Sequence, residues 1–153
     1  GRQIDAMMAV IMALVFLQFA LVFLTAWLVF GVALPANLAH WLVSAVLSAG
    51  LASSFALLFA ALCRNAKQVQ LIGSTLVLIL SALGGSMIPR YLMPDSFQAL
   101  GWFTPNTWSL EAMALIFWRP AGWGELAITW LVLIGMSVAA WGAARLAWRW
   151  NAR

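Results

Sequence analysis

No charged residue occurs between Ala6 and Cys63, between Gln68 and Pro89, or between Leu126 and Ala144. Stretches of that length leave few options. About 20 apolar residues cross a bilayer core roughly 30 Å thick, and inside it every peptide group must find its partner within a helix or a closed barrel. The composition agrees: 65% hydrophobic and 8% charged residues, against about 25% charged in an ordinary soluble domain. The chain is expected to be an all-α, polytopic helical membrane protein.

Taken in order, the apolar runs predict four transmembrane spans in one domain over 1–153, at about 6–30, 38–63, 69–88 and 125–148. Leu34-Pro35-Ala36-Asn37 separates the first two, since proline and asparagine punctuate helices. Trp27 and Trp41 bracket that hairpin as interfacial aromatics do. The second span carries small residues four apart (Ser44, Ser48 and Ala52; Gly50 and Ser54), a spacing that lets helices approach closely. The last span repeats it with Gly135, Ala139 and Ala143. Arg64-Asn65-Ala66-Lys67-Gln68 makes a tight basic turn between spans two and three. Gly1 opens without a signal-peptide pattern, so the chain is expected to be a segment of something longer.

The third run ends unusually. Ser81-Ala82-Leu83-Gly84-Gly85 leads into Pro89 and Pro94, yet the chain stays apolar and aromatic until Pro105. This pattern predicts a span that stops near one surface, followed by short re-entrant or interfacial helices at about 95–103 and 106–118. Asp95 and Gln98 have the spacing of a capping box for the first of these, and Asn106 or Thr107 could cap the second. Lys and Arg in short loops set orientation. Arg2, Arg64, Lys67, Arg145, Arg149 and Arg153 fall on one side, against Arg90 and Arg119 on the other. Both ends are therefore expected in the cytoplasm and the region from Pro89 to Glu125 outside.

The chemistry for catalysis is sparse. His40 and the single cysteine, Cys63, lie near opposite ends of one span, roughly 30 Å apart at about 1.5 Å per residue, so they cannot share a metal. The serines have no His or Lys beside them, and there is no phosphate-binding loop. No catalytic, cofactor or metal residue is expected. The net charge of +4 sets orientation and does not signal nucleic acid. The spans also lack the acid or base that ion-coupled transporters place at membrane depth. Glu111 has two readings: an acid near a helix N-terminus facing water, or a partner of Arg90 or Arg119 that ties the outer helices to a span end.

The order of these features resembles the permease subunits of ABC-2 type exporters: the basic turn, the span ending in Leu83-Gly84-Gly85, then Ile88-Pro89, Met93-Pro94-Asp95, Thr104-Pro105, Glu111 and a last span with a basic tail. The resemblance implies the last four spans of a six-span export permease in a bacterial inner membrane. It implies a homo- or heterodimer with a second permease copy, surrounded by membrane lipid. It also implies docking on a separate ATP-binding subunit that holds ATP and magnesium. The region of Gly84, Gly85, Pro89, Pro94, Pro105 and Glu111 would form an outer gate, and Arg64 and Lys67 would face the ATPase. The alternative is a structural or assembly subunit of a larger membrane complex.

Overall fold

The computed structural model describes residues 2–63, 65–119 and 123–151, and every regular element among them is helical. In order these are α1 (Arg2–Phe30), a 3-10 turn (Pro35–Asn37), α2 (Leu38–Leu62), α3 (Ala66–Leu83), a second 3-10 turn (Arg90–Leu92), α4 (Asp95–Gly101), α5 (Pro105–Phe117) and α6 (Trp123–Asn151). Among the described residues, α1, α2, α3 and α6 are long and apolar enough to cross a membrane.

The helix ends follow local chemistry. Gly31 closes α1 in the left-handed region (φ +67°), and its N–H bonds to the Trp27 carbonyl. That conformation is cheap only without a Cβ. Asn65 caps α3 by accepting a 2.8 Å bond from the Gln68 N–H. The expected third span ran to Ile88, but α3 stops at Leu83. Gly85 takes φ +87°, and the Ser86 N–H turns back to the Ser81 carbonyl at 3.0 Å, a Schellman closure that ends the helix. The capping box does not form. Asp95 is the first residue of α4, and the Gln98 amide instead donates to the Met93 carbonyl. Neither Asn106 nor Thr107 caps α5, which starts on Pro105 with Thr104 before it.

α2 is the axis of the bundle, packing most extensively on α6, then on α1 and α5. Its small residues make this possible: Ser44, Ala45, Ser48, Ala49, Gly50, Ser53 and Ser54 are all buried. The Ser53 and Ser54 hydroxyls donate to the carbonyls one turn back, and Ser44 accepts a 2.8 Å bond from the Trp130 indole of α6. Two expectations need correcting. Gly135, Ala139 and Ala143 face away from the bundle, and α6 packs instead through Leu133, Ala140 and Ala144. Trp41 is 5% exposed, clustered with Leu34, Ala45 and Met113 and set against Phe16 and Phe23, so it is a core residue. His40 stacks near the Trp123 and Trp130 rings of α6.

At the other end of the bundle, Arg145 of α6 donates from one nitrogen to both Asp5 oxygens of α1, and its guanidinium lies 4.0 Å over the Trp141 ring. Both partners are two-fifths exposed, so water screens the pair. Asp5→Asn is expected to lower stability by under about 1 kcal/mol, read as a small shift in Tm in detergent.

Candidate functional site

α5 re-enters the bundle. Ala112 packs on Leu51 in the middle of α2, whereas Met113 reaches Trp41, and Phe117 lies beside Phe23 and Trp41 near the start of α2. The N-terminus of α5 therefore sits within the depth of the span, next to the last residues of α3. Irregular backbone at that depth persists only where protein or water satisfies it. A compact joint of glycines and threonines does this.

Three glycines set the approach of the segments. A Cβ on Gly84 would lie 2.8 Å from the Asn106 Cβ and from the Thr104 hydroxyl. One on Gly101 would lie 2.7 Å from the Leu83 carbonyl, and one on Gly85 would lie 2.6 Å from Arg90 Cγ. Two buried hydroxyls then meet the carbonyls this packing strands. The Gly101 carbonyl faces the Thr104 N–H (2.9 Å), Thr104 Oγ1 (2.8 Å) and Thr107 Oγ1 (2.6 Å). Thr107 Oγ1 also lies 3.2 Å from the Gly84 carbonyl and 3.0 Å from Thr104 Oγ1. One carbonyl has two lone pairs, so the two hydroxyl protons are shared across the Gly84 and Gly101 carbonyls and between the threonines. Thr107→Val removes a wholly buried hydroxyl and is expected to destabilise by about 1–3 kcal/mol. Thr107→Ser should restore most of the loss in a thermal melt.

Arg90 winds the outer part of the joint together. Its guanidinium sits 3.9 Å over the Trp102 ring, and Nη2 donates to the Gln98 carbonyl at 3.0 Å. Trp102 in turn packs against Trp108, whose indole donates to the Trp102 carbonyl at 2.8 Å. α4 is thus held between Arg90 on one side and α5 on the other. Asn106 reaches the Ser81 hydroxyl at 3.4 Å, joining α5 to the last turn of α3.

The residues singled out in the sequence separate into groups. Gly84, Gly85 and Pro105 lie at the joint, with Pro89 and Pro94 opening the 3-10 turn and α4. Glu111 is elsewhere, in the middle of α5, where it accepts a 2.6 Å salt bridge from Arg119. Its partner is therefore not Arg90, and the pair lies within α5 and the segment leaving it. Lys67 is exposed in the first turn of α3, at the opposite end of that helix from Gly84, whereas Arg64 lies outside the described residues. Sequence reasoning passed over Gly101, and it named Thr104 and Thr107 without seeing that they bind the Gly101 and Gly84 carbonyls. A glycine before Trp102 and threonines flanking Pro105 were the available signals. Among the described residues, no three His, Cys, Asp or Glu side chains gather as metal ligands.

Four apolar spans with a re-entrant helical pair before the last one define a polytopic helical membrane protein. The family model for the ABC-2 type transporter matches residues 5–118, which take in α1 to α5 and the whole joint. The chain belongs to the ABC-2 type transporter family and is a permease component of an ABC transporter. No curated protein and no solved structure matches it.

Proposed function

We propose that this chain forms part of the translocation pathway of an ATP-driven exporter, with the joint between α3 and α5 as its outer gate. On this reading its spans are the last four of a six-span subunit in a bacterial inner membrane, with both ends cytoplasmic. It works beside a second permease copy and a separate ATP-binding subunit that carries ATP and magnesium.

The observation that carries the proposal is the contrast between α3 and its attachment. None of the α3 residues is buried and α3 touches α2 only sparsely, yet its last turn is locked to α5 by Gly84, Thr107 and Asn106. A helix held at one end and loose along its length can tilt as a rod. Lys67 and Gly84 are about 25 Å apart along it at roughly 1.5 Å per residue. A push on the basic turn by the ATPase would therefore arrive at the joint as a displacement of Gly84 against Thr107. The exposed Lys67, together with Arg64, suits that turn to an acidic surface on the ATPase.

The test is reconstitution of the full-length protein with its ATPase in liposomes. Co-purification, ATP hydrolysis stimulated by substrate, and ATP-dependent export are expected. Hydrolysis that ignores both the permease and every candidate substrate would favour a structural subunit instead.

A further inference from the structure

A half-open cavity of about 360 Å³ lies between α2 and α3, closed at one end by the start of α5. Its walls are apolar along the run from Phe59 and Val69 past Gly73, and its polar groups, Ser48, Asn106 and Ser109, gather at the α5 end. Ser48 is 2% exposed and its hydroxyl has no hydrogen-bond partner, whereas Ser53 and Ser54 of the same helix bond back to their own helix. A buried hydroxyl left unpaired is unfavourable, and Ser48 is one of the residues that wall the cavity.

We propose that this cavity binds one hydrocarbon chain of an uncharged amphiphile, with the hydroxyl or ester carbonyl of its head against Ser48 at the α5 end. Length, polarity and charge each point to that occupant. From Ser48 to Phe59 the cleft runs about 16 Å along α2, close to half of the roughly 30 Å hydrocarbon core and so to the reach of one leaflet's chains. The polar end offers a hydroxyl without a partner and the remainder offers only packing. No described residue lining the cavity is charged, so a carboxylate, phosphate or ammonium head would be buried there without a counter-charge, which is far less favourable than burying a hydroxyl. The site does not depend on the chain acting as an exporter, because occupancy is read without turnover.

The experiment is photolabelling of the full-length protein in nanodiscs with a diazirine-bearing long-chain alcohol, mapped by mass spectrometry. Label is expected on the facing segments of α2 and α3, competed by unlabelled alcohol. Ser48→Ala should weaken labelling about fivefold while leaving the ligand-free protein with an unchanged or higher Tm, since it removes only an unpaired hydroxyl. Gly73→Phe should block labelling. A Cβ at Gly73 meets nothing within 4 Å, so a side chain can leave the backbone there without a clash at its first atom, and Gly73 lines the cavity. Label spread equally over α1, labelling untouched by Gly73→Phe, or equal labelling by the matched carboxylic acid would each overturn the proposal. So would a failure of both α2 and α3 to take up label at any alcohol concentration, because another part of the protein would then fill the cleft.

Discussion

Alanine at Gly101 is expected to open the joint. Its Cβ would stand 2.7 Å from the Leu83 carbonyl, a backbone atom of the α3 end that cannot rotate away, and 3.4 Å from the Thr107 hydroxyl. Relief requires α4 to withdraw from α3, which breaks the bonds that Thr104 and Thr107 make to the Gly101 carbonyl. Overpacking of this kind costs about 1–3 kcal/mol. In the assembled transporter the same displacement should reduce transport by an order of magnitude or more, because on the proposed function the joint is the gate and would no longer seat. Gly142→Ala and Gly135→Ala are the controls. Neither new Cβ meets anything within 4 Å, and alanine in a helix is favoured over glycine by roughly 0.5–1 kcal/mol. Both variants should melt at or above the parent temperature and keep transport. A Gly101→Ala protein as stable and active as these controls would mean the close approach at Gly101 has no role.

Arg90→Ala should be the most damaging change among the charged residues. It removes the guanidinium over Trp102 and the donor to the Gln98 carbonyl, and it strips the methylene stem from beside Gly85. A cation on an aromatic face contributes about 0.5–2 kcal/mol and a hydrogen bond from a charged group about 1.5–3 kcal/mol. Arg90 is partly exposed, so solvent screening places the combined loss near the lower end, about 2 kcal/mol. Arg90→Lys should recover less than half, since an ammonium neither stacks flat on an indole nor presents the planar fork. Glu111→Gln should leave this part of the molecule unchanged, because Glu111 pairs with Arg119 and not with Arg90. Melting temperatures of the three variants in one detergent decide between these outcomes.

The fold was legible from the sequence to the extent that hydrophobicity and backbone chemistry are local. Charge-free runs long enough to span, the proline and asparagine after Leu34, and the double glycine with Pro89 and Pro94 announced the helices and the irregular stretch. Boundaries moved where a single dihedral decided them: Gly85 in the left-handed region ends α3 at Leu83 although apolar residues continue to Ile88. Which face of a helix is buried was less readable. An all-apolar span has little amphipathic signal, so the outward-facing Gly135, Ala139 and Ala143 read like a packing row and the buried Trp41 read like an interfacial anchor. Pairings between distant parts of the chain left no local trace. Asp5 with Arg145, Trp130 with Ser44 and Thr107 with the Gly84 carbonyl exist only because α1, α2, α3, α5 and α6 are folded together. Glu111 with Arg119 is the exception, since both lie on one short stretch of chain, Arg119 just past the C-terminal end of α5.

The central claim is that the end of α3 and the start of α5 must move apart for export. Cysteines at Ser81 and Asn106, whose side chains touch at 3.4 Å, allow that motion to be blocked in a Cys63→Ser background. The deciding measurement is ATP-dependent export by the full-length transporter in liposomes before oxidation, after it, and after reduction. The account predicts that the cross-link abolishes export, that ATP still binds, and that a reductant restores transport. Export at the uncross-linked rate with the disulfide quantitatively formed would contradict it.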